Sequence, residues 1–245
     1  MYDLTRFGLK DMTQCGAVLR RLGNEAGSME EAADRIVRHL HEHLLRGSGG
    51  APATALVRLF KTHPYGGLEP SLRRRVDQAL GRRPDDPDTP CFTLLASAGQ
   101  QPEWNGREGS KNFQVIPIEG ERFAHTFPMF SQLLTQFGVD VGAVVNPGAN
   151  LLLESQERGY NVFHVPDALE SPYVPCQREF VVPFGVRSVL GFGGVLPSGA
   201  VLAVILFSTV PISPATAELF KTLALCVKVA LVPFDGGAVF AGNKR

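Results

Sequence analysis

Apolar residues recur at helical spacing near both ends of this chain and at strand spacing between them. Residues 2–23 read as a helix: Leu4, Met12, Cys15, Val18, Leu19 and Leu22 fall roughly on one face, Lys10, Arg20 and Arg21 lie off it, and Gly23 ends it. A second helix follows almost at once. Ser28 with Glu31 makes a capping box, and Ile36, Val37, Leu40 and Leu44 form the buried stripe. The period then changes. "TALVRLF" (54–60) and "CFTLLASA" (91–98) have the length and composition of strands and are bounded by Gly or Pro. Between them "EPSLRRRVDQALG" reads as a short helix with Pro70 near its start and Gly81 at its end. With the polar "RRPDDPDTP" it makes a surface insertion within a hairpin.

"FQVIPI" (113–118) is a third strand. In "FPMFSQLLTQFG", Pro128 opens a helix, Phe130, Leu133, Leu134 and Phe137 recur at helical spacing, and Gly138 closes it. "ANLLLESQERG" is a further helix and "YNVFHV" (160–165) a further strand, whereas the prolines of "PDALESPYVPCQREF" argue against one regular element. The end of the chain is clearest. "VRSVLGFGGVL" and "AVLAVILFS" are strands joined by "PSG", with Gly199 suited to a positive φ. Ser213 and Pro214 then open a helix in which Phe220, Leu223 and Val227 share a face. Leu219, Leu225, Val229 and Leu231 make its other sides apolar, so it packs on more than one side: on the sheet, and on the first helix, a partner subunit or both. "DGGAVFAGNKR" reads as a loose tail. The element order gives one antiparallel sheet with helices gathered mainly on one side, an α+β architecture. "GFGGVLPSG" is a hairpin and not a phosphate loop, because Ala200 and Val201 open a strand where that loop needs Lys, then Ser or Thr, then a helix.

"YNVFHVPDA" followed by "FGVRSVLGFGGVLPSGAVLAVILFSTVPISPATAELFKTLALCVKVAL" resembles the C-terminal half of a GAF domain. Shared are an "R-S" strand, a glycine-turn hairpin, a strand ending near "FS" and a Ser-introduced helix. Ser28 to Leu44 resembles that family's first helix and Thr54 to Phe60 its first strand. The resemblance covers 28–232, with an insertion near 62–90; 1–27 is then an accessory or dimerisation helix and 233–245 a flexible tail. It implies a GAF-like fold: a central six-stranded antiparallel sheet flanked by helices on both faces, with the N- and C-terminal helices packed together. It further implies a small-molecule pocket between the sheet and the middle helices, and a sensor in signal transduction, often dimeric through terminal helices. With no room for an output domain, such a sensor would be stand-alone or excised. The Asn-Lys, Phe, Asp-Glu signature of the cyclic-nucleotide-binding type and the Cys-His pair of the bilin-attaching type are not found. The cysteine set of the free methionine sulfoxide reductase type is represented only by Cys91 and Cys176, far apart in sequence.

Charge narrows the partners. The 24 basic and 24 acidic residues cancel, so no global field favours nucleic acid, an anionic membrane or an acidic substrate. Cys15, Cys91, Cys176 and Cys226 lack CxxC spacing and read as reduced thiols. No apolar run approaches the ~20 residues of a membrane span, and the first residues lack an apolar leader core. The expectation is a cytoplasmic protein without a bound metal; the sequence names no cofactor.

His39 and His43 stand four apart, as in two-histidine metal sites, but no third ligand is evident and a helix C-terminus favours such side chains anyway. In "RLFKTHPYGG", Arg58, Lys61, His63 and Tyr65 either converge on an anion or, the preferred reading, leave Arg58 facing solvent. His125 and His164 read as packing residues before haem ligands. Trp104, in the long loop "GQQPEWNGREGSKNF", either lids a pocket or folds back onto the core. "LRRRVDQALGRR" beside "DDPD" is a solvated face, not a nucleic-acid patch. No nucleophile elbow is present, and the paired carboxylates lie in cap and loop contexts. The expectation is a non-catalytic small-molecule-binding module whose pocket takes Trp104, Phe130, Asn161, His164, Tyr173 and Phe192. Two alternatives stay open: a redox enzyme using Cys91 and Cys176, and an interaction module whose pocket is filled with side chains.

Overall fold

The computed structural model describes residues 1–47, 50–110, 113–139, 141–145 and 162–242. Its strands are β1 (Tyr2–Asp3), β2 (Leu44–Leu45), β3 (Thr54–Pro64), β4 (Pro90–Gly99), β5 (Val115–Pro117), β6 (Val162–Val165), β7 (Ser188–Val195) and β8 (Val201–Ser208). The last six form one antiparallel sheet in the order β5-β4-β3-β8-β7-β6, so β3 and β8 lie at its centre. β1 and β2 make a small parallel pair.

The helices are α1 (Leu9–Leu19), α2 (Met29–His43), α3 (Pro70–Leu80), α4 (Gly120–Thr126), α5 (Pro128–Gln136), α6 (Val141–Val145) and α7 (Pro214–Leu231). Strand periodicity sends Val57, Leu59, Leu190, Phe192, Val204 and Leu206 toward α1, α2 and α7. It sends Phe60, Phe92, Leu94, Phe163, Ile205 and Phe207 toward α4, α5 and α6. The fold is α+β with helices on both faces, which corrects the one-sided arrangement read from element order. The physical reason is that β4 and β8 are buried along their whole length, a pattern that needs cover on both sides. α3 occupies the connection between β3 and β4.

At the start of the chain the expected long helix is interrupted. Asp3 Oδ1 accepts from Thr5 N and from Gly47 N, both at 3.0 Å, which holds residues 2–3 against Leu44–Leu45. α1 begins only after Gly8, whose N–H donates to Asp11 Oδ2 at 3.0 Å. α1 packs on α7 so closely that a Cβ at Gly16 would stand 2.9 Å from Cys226 Sγ. α2 has the Ser28 cap as read, Ser28 Oγ accepting from Glu31 N at 3.1 Å, but the return bond of the expected box is displaced by one residue: Glu31 Oε2 accepts from Gly27 N at 2.8 Å and not from Ser28 N. The helix read in "ANLLLESQERG" lies outside the described residues.

The end of the chain also differs from expectation. Residues 233–242, read as loose, dock on α2: Met29 N and Glu30 N donate to Ala238 O and Val239 O at 2.8 and 2.9 Å, and Val239 and Phe240 are buried. First-turn amides of a helix have no partner within the helix, and this segment supplies two acceptors.

Candidate functional site

Val57 and Leu59 point from β3 toward α2 and α7, so Arg58 between them faces the other side of the sheet. Its neighbours across the ladder are Ser97 on β4 and Ile205 on β8; Ile205 pairs with Gly191 on β7, and Gly191 with Phe163 on β6. This row crosses the middle of the face covered by α4–α6. Toward the far end of β3, Phe130 of α5 meets Phe60 edge-on with ring centroids 5.1 Å apart and lies 5.3 Å from Phe92. Toward the near end, Trp104 stands 4.5 Å from Phe184 and 5.4 Å from Phe180, and Phe180 meets Phe207 at 5.1 Å. A polar pair, Arg58 and Ser97, is therefore set between two aromatic groups.

Arg58 Nη2 donates to Ser110 Oγ at 2.6 Å, and Ser110 is fully buried. Some solvent reaches the Arg58 side chain, yet burial pushes its guanidinium down to about 10 against an upward pull from the Cys176 sulfur. It stays charged at neutral pH. Ser97 is 0% exposed and its Oγ has no hydrogen-bond partner among the described residues. Burying a hydroxyl unmatched costs about 1–3 kcal/mol.

Two irregular segments hold the aromatic cover in place. Cys176, at φ +58°, opens a π-helical turn over Gln177–Val181, and its carbonyl accepts from Phe180 N at 2.8 Å and Val181 N at 3.2 Å. The Gln177 amide fastens the preceding loop: Nε2 donates to Ala168 O at 3.0 Å and Val174 O at 2.9 Å, while Oε1 accepts from Glu170 N at 3.0 Å. The loop carrying Trp104 is tied at Gly99, whose N–H donates to Asn105 Oδ1 at 3.1 Å. Arg107 anchors its far side to Glu30 at 3.0 Å and Glu69 at 2.5 Å while lying over the Phe240 ring. The result is a held cation, a hydroxyl unmatched among the described residues, and apolar walls, a combination suited to binding. The Cys176 thiol is raised by burial and by Glu179, against a downward pull from Arg58, so it is a poor nucleophile at neutral pH. No group of three or more His, Cys, Asp or Glu converges for a metal among the described residues.

No family model matches this chain, and no curated protein sequence does either. Solved structures similar to it include GAF domains. One is from a Coxiella burnetii phosphoenolpyruvate-protein phosphotransferase, 13% identical, covering 93% of this chain and 97% of that one with a TM-score of 0.45. Another is from the Acinetobacter phosphoenolpyruvate-protein phosphotransferase, 11% identical, covering 89% and 92% with a TM-score of 0.43. A third is the phycoerythrobilin-bound GAF domain of a cyanobacterial phytochrome, 12% identical, covering 91% and 96% with a TM-score of 0.43.

The residues expected from sequence to share one pocket divide between the two faces. Trp104 and Phe130 flank the Arg58 row. Phe192 lies on the opposite face, 5.3 Å from Phe220, and His164 faces the same way, next to Ile212, with its imidazole lowered by burial. Tyr173 is 40% exposed, and Asn161 lies outside the described residues. Cys91 is buried with Tyr65, Leu72 and Val76 beneath α3, its thiol pushed up to about 12 by burial. Cys176 is on the Arg58 side, so the sheet separates the two sulfurs. Arg58, read as facing solvent, turns inward, while Lys61 and His63 face the α2 side; Lys61 Nζ donates to Thr62 O at 3.2 Å and the His63 ring meets Phe240. His125 is exposed, and His39 stacks on His43 at 4.2 Å. Ser97, Ser110, Phe180 and Phe184 went unread. The available signal was Arg58 itself, a charge inside the apolar run of a strand buried on both faces.

Proposed function

We propose that this chain is a small-molecule-binding sensory module of GAF-like build that acts in signalling and does not transform its ligand. The observation that carries this reading is the Arg58–Ser97 pair, set inside an otherwise apolar sheet face and framed by Trp104, Phe180 and Phe184 on one side and Phe60, Phe92 and Phe130 on the other. Ligand sites combine apolar walls with a few polar groups in this way. Binding without turnover is favoured by the raised thiols and by the sheet standing between Cys91 and Cys176. All four cysteines are free, which fits the reducing cytoplasm.

The module is further proposed to pair with a second copy through its terminal helices. Leu225 and Val229 of α7, with Val232 just beyond it and Val18 of α1, leave apolar side chains exposed next to the α1–α7 contact. Native mass spectrometry of the purified chain tests both statements. The expected spectrum is a dimer carrying a non-covalent small molecule, reduced to monomer by Leu225→Glu with Val229→Glu. A chain that stays free of small molecules after exposure to a metabolite extract overturns the sensor reading. A chemically altered ligand after incubation overturns its non-catalytic character.

A further inference from the structure

We infer that residues 238–241 form an acid-released strap, docked on α2 while His63 is neutral and swung away on Gly236 and Gly237 once His63 takes up a proton. Its release withdraws two acceptors from the first turn of α2 and parts Phe240 from Arg107. The device is separate from the binding site proposed above and needs no ligand.

The strap is held by few contacts. Ala238 O and Val239 O accept from Met29 N and Glu30 N at 2.8 and 2.9 Å, and Ala241 N donates to Glu30 Oε2 at 2.8 Å. Phe240 supplies the apolar part: the His63 ring centroid and Arg107 Cζ each lie 5.2 Å from the centroid of its ring. The near end is tied elsewhere, since Asp235 accepts from Ser198 N at 2.8 Å and from Ser198 Oγ at 2.7 Å. Between this anchor and the strap stand two glycines. Gly236 takes φ +81° with no atom within 4 Å of where a Cβ would be, so the backbone can turn there without obstruction.

A proton on His63 acts on the Phe240 contact. His63 Nε2 lies 3.2 Å from Gly67 O, a pure acceptor, so the neutral ring carries its hydrogen there and leaves Nδ1 bare. Nδ1 is buried and has no hydrogen-bond partner among the described residues. Protonation puts a donor at that atom with nothing to accept from it, and moving Phe240 aside admits water. The charges on the surrounding elements do not offset this. Lys61 on the same strand opposes a second cation, Asp235 faces Lys61, Glu30 and Glu69 are engaged by Arg107, and the Cys91 thiol opposite His63 on β4 is neutral. Burial first and Lys61 second hold the imidazole below its ordinary 6.5, so the released form binds the proton better. Docking is therefore strongest above 6.5 and weakens as pH falls from there.

Hydrogen exchange of the full chain, followed amide by amide with nitrogen-15 NMR and corrected for the intrinsic effect of pH, tests the strap. The reporters are the amides of Met29, Glu30 and Ala241, with those of Val204 and Leu206 in β8 marking global opening. Between about pH 7.5 and 5.5, a window above the ordinary carboxylate range, the reporters should be less protected than β8 throughout. Their protection should fall by about threefold or more toward the acid end. His63→Gln, which cannot take up the proton, should level that fall. If His63→Gln does not fold, the wild-type profile decides, because the fall must begin near 6.5. Reporters that share the protection of β8 at every pH overturn the strap, since it then opens only with the whole fold. A level wild-type profile, a fall that begins elsewhere, or an unchanged fall in His63→Gln overturns the role of His63.

Discussion

His39 shows how a single side chain ties this fold to pH. Its ring lies 4.2 Å from that of His43 and 6.1 Å from that of Tyr2, and Nε2 has no hydrogen-bond partner among the described residues. Burial, with His43 adding to it, lowers its pKa from 6.5 to about 4. The unfolded chain therefore takes up this proton first as pH falls. The stability linked to neutral His39 is complete above 6.5 and is lost as pH drops from there toward 4. His41, His63 and His164 are also lowered, chiefly by burial, and act in the same direction. Urea unfolding between about pH 7.5 and 4.5 should show a falling midpoint, since each tenfold difference in proton affinity between the folded and unfolded chain is worth about 1.4 kcal/mol. His39→Gln should flatten part of the slope; a wild-type profile that is level over this range contradicts the assignment.

Among the elements, the β7–β8 hairpin is the most exacting. Gly199 takes φ +84° in the turn, but the tighter demand is at Gly193, where a Cβ would stand 2.0 Å from the backbone oxygen of Leu202 on the paired strand. Gly193→Ala should cost about 3 kcal/mol in urea unfolding, the upper end of overpacking effects. Gly199→Ala meets no atom within 4 Å and should cost only the roughly 1–2 kcal/mol of left-handed strain. Equal losses would show that contact and strain have been misassigned. This hairpin and α7 were legible in the sequence because their determinants are local: a glycine turn, and Ser213 Oγ accepting from Thr216 N at 3.1 Å. The candidate site was only partly legible. Which way Arg58 points depends on β3 being central, and that depends on pairing with β8, far along the chain by the Arg58–Ile205 register. Phe180 and Phe184 were hidden because a π-helical turn has no short-range signature comparable to a capping box.

For the whole molecule, the segment after α7 connects the α2 layer to the loop that carries Trp104. Phe240 packs in the core on the α2 face, meets His63, and lies under Arg107, which holds Glu30 of α2 and Glu69 before α3. Phe240→Ala should therefore lower stability by about 3 kcal/mol. It should also release the loop that positions Trp104, read as a red shift of tryptophan emission. Thermal unfolding together with the emission spectrum checks both; a stability loss with unchanged emission would confine Phe240 to core packing.

The sheet order also governs the way the chain reaches its native state. β3-β4-β5 and β6-β7-β8 are two meanders of sequence neighbours, and within the sheet they meet only where β3 pairs with β8. Each half can assemble from nearby residues, whereas the seam must close one very long loop. The entropy of that closure grows only with the logarithm of loop length, but the search for it is slow. Pairing of β3 with β8 should thus be the late, rate-limiting event, and Arg58, which lies on that seam, takes its inward position only when the two halves join.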